Sequence, residues 1–116
     1  MSGLGAGQNI AMQVPSRQFR ETVRFYDEVV GLARIEEDPG TVVFAFGDKR
    51  LWIDSREDLV RAEVWLELVA DDADTAAGYL AERGVVRRDE VEALPKGFAG
   101  FWICNPAGVI HLVSER

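Results

Sequence analysis

Few side chains in this 116-residue sequence are equipped for chemistry, and the only histidine, His111, comes first among them. An imidazole titrates near neutrality, so it can pass a proton or ligate a metal. The plainer alternative is a histidine satisfied by one hydrogen bond to a neighbouring strand residue. Cys104 is the only cysteine, which excludes an internal disulfide and a multi-thiolate zinc site. A lone thiol packs as a small hydrophobe. The tryptophans Trp52, Trp65 and Trp102 are many for so short a chain. Each indole brings a flat apolar wall with a single donor, which suits core filling or the stacking of a planar or cationic ligand. Asp71, Asp72 and Asp74 crowd a helix start, where capping and the helix dipole account for them without a metal. Gly3–Gly7 has no strand–turn–helix context and is not a phosphate loop.

Composition narrows the classes. The hydrophobic fraction of 47% can fill a core, and the size is that of one domain. A net charge of −7 argues against nucleic acid, whose phosphates call for clustered Lys and Arg. No apolar run reaches the length of a bilayer span. Gly-rich Met1–Gly7 reads as a frayed lead-in rather than a signal peptide. These features lead to the expectation of a cytoplasmic protein.

The elements that must position these groups follow from periodicity. Asn9–Val14 alternates, with Ile10, Met12 and Val14 on one face and Asn9, Ala11 and Gln13 on the other. Ser16 is placed to cap a helix in which Phe19, Val23, Tyr26 and Val30 recur at helical spacing, ending at Gly31. Strands are predicted over Leu32–Glu36, Thr41–Phe46 and Arg50–Asp54, with Asp38-Pro39-Gly40 and Gly47-Asp48 as turns. Ser55–Arg61 is charged and polar, the natural junction between halves. Glu63–Val69 alternates in turn, setting Glu63, Trp65 and Glu67 opposite Val64, Leu66 and Leu68. Asp71 or Asp72 caps a helix whose apolar stripe is Ala73, Ala76, Ala77 and Leu80, closed by Gly84. Strands are predicted at Val85–Arg88, Phe101–Cys104 and Val109–Val113. Each half therefore reads β-α-β-β-β, an α+β internal repeat.

This order, with Phe25-Tyr26 ahead of Val29-Val30-Gly31-Leu32 and with Asn105-Pro106-Ala107-Gly108 ahead of Val109–Val113, resembles the vicinal-oxygen-chelate superfamily of glyoxalases, bleomycin-resistance proteins and extradiol dioxygenases. The resemblance implies two βαβββ units, residues 8–55 and 62–115 of one domain spanning 8–116. Their sheets would curl as a mixed sheet around a concave cleft, and the protein would pair as a homodimer. The metal enzymes of the superfamily draw ligands from the first and last strand of each unit. Carried over position by position, those places fall on Asn9, near Trp52, on Trp65 (or Val64 if the register slips), and on His111. Only His111 is a good ligand, and zinc or iron sites need three or four donors. Glu67 shares a face with Trp65 and could join His111 and Asn9 in an improvised site.

The vacancies thus carry aromatic surface. The expectation is a small-molecule-binding protein without metal or other cofactor. Its cleft would be lined by Asn9, Gln13, Trp52, Trp65, Glu67, His111 and Trp102, with Asp54 and Glu63 adding acidity toward a cationic or aromatic ligand. Two alternatives stay open. One is a divalent-metal lyase, isomerase or dioxygenase with a degenerate site and His111 as acid or base. The other is a non-catalytic interaction module keeping only the scaffold.

Overall fold

A computed structural model describes residues Gly3–Arg116. The chain forms two compact units. The first is Gln8–Trp65, and the second is Leu66–Arg116 together with the opening residues through Gly7. Both combine a mixed sheet with a helix, the α+β class expected from the repeat.

In the first unit the strands are β1 (Leu4–Pro15, which enters this unit at Gln8), β2 (Arg34–Asp38), β3 (Thr41–Phe46) and β4 (Lys49–Arg56). They lie in the order β2-β3-β4-β1, with β1 and β4 parallel and the rest antiparallel. Paired residues project from the same face. The register Ile10↔Leu51 and Met12↔Ile53 therefore puts the apolar face of β1 beside that of β4. Helix α1 (Ser16–Arg24) covers this face, and Val14, Val23, Val42, Phe44, Leu51 and Ile53 are buried with Phe19 and Tyr26 packed against them. Pro15, not Ser16, holds the N-cap position, and Ser16 instead meets the Ser55 hydroxyl at 2.9 Å.

The predicted helix continues past Arg24 as a wider π-helical segment, Phe25–Val30, ended by left-handed Gly31. The wider turn rotates later residues out of the apolar stripe. Tyr26 still reaches Phe44, with ring centroids 6.0 Å apart, but Val30 is left half exposed.

The second unit contains β5 (Glu63–Ala70, which enters it at Leu66), α2 (Ala73–Glu82), β6 (Gly100–Cys104) and β7 (Ile110–Glu115). Its strand order is β5-β7-β6, with β5 and β7 parallel. Asp72 caps α2 by accepting the Thr75 N–H at 2.8 Å, and Ala73 and Ala76 are buried against Phe101, Ile103 and Val113. The predicted strand at Val85–Arg88 is reduced to one bridge, Arg87↔Ile103. Beyond it the chain still satisfies the edge of β6. Arg88 donates its N–H to the Trp102 carbonyl at 2.7 Å, and the Asp89 carboxylate accepts the Trp102 N–H at 3.3 Å. An Arg88–Glu90 ion pair holds the Glu90 carboxyl below the ordinary carboxylate range.

The opening residues correct the expectation of a frayed lead-in. Residues 1–2 lie outside the described residues, but β1 begins at Leu4. Leu4 packs on the second unit's core, and the Gly3 carbonyl accepts the Asp71 N–H at 3.2 Å. Gly7 is buried so close to Glu67 that an added Cβ would lie 2.8 Å from the Glu67 Cβ. Among the described residues no helix is long and apolar enough to cross a membrane.

Two outcomes follow. Gly7→Ala should lower unfolding stability in urea by about 1–3 kcal/mol, the range for overpacking a filled site. Asp72 has its carboxyl pKa lowered chiefly by the Thr75 N–H. Its cap therefore stabilises the fold above the ordinary carboxylate pKa and fades as pH falls through the lowered one. Asp72→Ala should lower Tm at pH 7, with the deficit shrinking on acidification below about pH 4. Asp72→Asn should cap with no such pH dependence in thermal melts.

Candidate functional site

The face of the first unit's sheet that carries no helix collects most of the residues singled out from the sequence. The parallel register sets Asn9 beside Arg50, Ala11 beside Trp52 and Gln13 beside Asp54. β3 adds Val43 opposite Trp52 and Thr41 opposite Asp54.

These side chains are bonded to one another. The Trp52 indole N–H donates to Asn9 Oδ1 at 2.7 Å. Gln13, only 3% exposed, donates its amide N–H to Asp54 Oδ2 at 2.9 Å and accepts from Arg56 Nη1 at 3.1 Å. The other Asp54 oxygen takes the Thr41 hydroxyl at 2.8 Å. Arg56 lies over the Trp65 ring, 5.5 Å from its centroid, and the Trp65 N–H reaches Glu63 Oε1 at 3.1 Å. Arg50 lies over Trp52 at 5.7 Å and forms an ion pair with Glu36. Guanidinium over indole is a favourable stack, so both tryptophans are already supplied with a cation.

This arrangement alters the electrostatics expected of the site. The acidic groups are present, but Asp54 is bonded at both oxygens, Glu36 is paired with Arg50, and Glu63 accepts the Trp65 indole. Arg50, Arg56 and Glu36 were absent from the residues proposed on sequence grounds. The signal was there: β4 extends to Arg56, and its alternation places Arg50, Trp52, Asp54 and Arg56 on one side. Trp65 is buried while its neighbour Val64 is 42% exposed.

The remaining residues belong to the second unit and do not form one group. Glu67 accepts the Ser114 hydroxyl at 3.3 Å. On β7 its paired residue is Leu112. His111 pairs with Leu66 and Ile103, and Ile103 is part of the core under α2. His111 therefore projects from the helix-covered face, opposite to Glu67. Its Nδ1 lies 3.0 Å from the Val109 carbonyl, two residues back along the chain. Strand alternation explains the change, since one residue of register moves a side chain to the other face. Trp102 is 5% exposed and gives its indole N–H to the Glu92 carbonyl at 2.9 Å, so it packs under the segment that borders β6.

A divalent metal of the kind the superfamily uses does not fit this donor set. Among the described residues no group of three or more His, Cys, Asp or Glu is placed to hold one. His111 and Glu67 face opposite sides of their sheet, and the Asn9 oxygen is engaged by Trp52.

These features define a chain with the fold of the glyoxalase/bleomycin-resistance/dioxygenase superfamily, and solved structures match it throughout. A Mn(II)-bound glyoxalase from Novosphingobium aromaticivorans aligns over 95% of this chain and 38% of its own, with TM-score 0.67 and 22% identity. Methylmalonyl-CoA epimerase from Mycobacterium tuberculosis aligns over 99% and 90%, with TM-score 0.69 and 15% identity. A glyoxalase/bleomycin resistance protein/dioxygenase superfamily member from Vibrio splendidus 12B01 aligns over 92% and 97%, with TM-score 0.63 and 10% identity. The chain thus spans well under half of the glyoxalase and nearly all of the other two. No family sequence model and no curated protein matches it.

The network itself can be tested. Gln13→Met keeps the volume but leaves the Asp54 and Arg56 groups without their partner. Urea unfolding should report a loss of about 1–3 kcal/mol, the usual consequence of stranding buried polar atoms. Thr41→Val, nearer the unit's edge and removing a single donor, should lose less.

Proposed function

We propose that the protein is a metal-independent small-molecule-binding protein, and that the helix-free face of its first unit receives a planar ligand. One observation carries this reading. The positions where the superfamily's enzymes draw ligands from the first unit hold Asn9 and Trp52, and these bond to each other instead of pointing free donors at a common centre. Beside them Gln13, Asp54, Thr41 and Arg56 are bonded to one another, and Arg56 lies over Trp65 as Arg50 lies over Trp52. A rigid aromatic surface binds with little ordering loss, because its side chains are fixed beforehand. The Arg50–Glu36 ion pair and the guanidiniums over both indoles turn the ligand preference away from a cation and toward a flat aromatic molecule.

Elemental analysis of the purified protein, with ligand binding followed by tryptophan fluorescence, separates this reading from a metalloenzyme. Binding of two-ring aromatic compounds should survive EDTA, and Trp52→Phe should weaken it about threefold to tenfold, the worth of an aromatic pair. One tightly held metal per chain, released by Asn9→Ala or Glu67→Ala, would overturn the proposal.

A further inference from the structure

Arg50 differs from its polar neighbours on the same face. Gln13 is engaged at both ends of its amide, Asp54 at both oxygens, and Asn9 Oδ1 by the indole. Arg50 reaches Glu36 through Nη2 alone, while its Nε is shut off from water with no hydrogen-bond acceptor. Among the described residues it is the buried side-chain nitrogen or oxygen left in that state. Buried donors are nearly always paired, and an exception asks for a missing partner. A guanidinium presents Nε and an Nη nitrogen as a planar fork that fits the two oxygens of a carboxylate. Glu36 takes one prong of that fork. It also hangs from β2, an edge strand exposed along its whole length, so it can swing away. The same guanidinium is stacked over Trp52, which places the unpartnered Nε, closed to water in the free protein, next to an aromatic ring.

We infer that Arg50 is the anchor for a carboxylate on the ligand. The molecule is an aromatic acid whose ring lies along the Trp52–Arg50 stack and whose two oxygens fill the Arg50 fork, displacing Glu36. This rests on the binding role proposed above and adds the charge of the ligand to it. Glu36 then acts as an internal competitor: it holds the guanidinium in place in the free protein and yields to the incoming acid.

The test follows the Trp52 indole signal in proton–nitrogen correlation spectra of the full chain, titrated with naphthoate, naphthamide and naphthylmethylammonium. Naphthoate should bind about tenfold tighter than naphthamide, the factor expected of one charge-assisted bond, with the ammonium compound weakest. Arg50→Gln should erase the preference for naphthoate over naphthamide. Glu36→Gln should tighten naphthoate binding severalfold, and it gives the answer even if Arg50→Gln fails to fold. Equal affinity for acid and amide, a preference that survives Arg50→Gln, or weaker acid binding in Glu36→Gln would overturn the inference while leaving the binding role standing. Silence of the indole toward all three compounds would overturn the binding role itself.

Discussion

The parallel pairing of β1 with β4 is the constraint on which the first unit turns. It joins residues some 43 positions apart, as the Asn9–Trp52 bond spans. The same register serves both faces. On one side Ile10 and Met12 meet Leu51 and Ile53 beneath α1, and on the other Asn9, Ala11 and Gln13 meet Arg50, Trp52 and Asp54. Slipping by one residue would turn the core outward and drive Gln13 and Asp54 under the helix. Apolar burial therefore fixes the polar network as surely as the network's own bonds do. Ala11 opposite Trp52 adds a fit of size, a small residue beside the largest.

The second unit repeats the parallel pairing without repeating the surface. β5 and β7 align Leu68 with Val113 over the α2 core, and Glu67 with Leu112 on the reverse. There the polar content reduces to Glu67 and Ser114, and Trp102 is closed in by the Arg88–Glu92 segment. That segment follows the stretch Val85–Arg88, where a strand was expected and one bridge, Arg87↔Ile103, is found. Here Arg87 pairs with Asp89 and Arg88 with Glu90. The edge of β6 is satisfied at Trp102 by one backbone N–H, from Arg88, and one carboxylate, of Asp89, without a full ladder.

How far the sequence was legible follows from which forces are local. The strands of the first unit and the α2 cap were readable because period-two alternation, turn glycines and an Asp N-cap act over a few residues. The π-helical turn at Phe25–Val30 was not, since its residues suit an ordinary helix. Nor was the strand at Leu4–Gly7, where a Gly-rich stretch reads as loop until Glu67 is known to lie against Gly7. The site was half legible. Asn9, Gln13, Trp52 and Trp65 do gather around one face, because alternation specified it. His111 missed by one residue, an error to which counting along a turn is prone, and Arg50 and Arg56 were overlooked though the same alternation contained them.

What this face can bind is decided less by which donors it owns than by which are still free. Asparagine and aspartate oxygens can ligate a hard metal, yet here each is held by a hydrogen bond from Trp52, Gln13 or Thr41. Recruiting them to a metal would strand those donors, at about 1–3 kcal/mol apiece when buried. Arg50, held by a single prong, is the place where this face keeps unspent polar capacity.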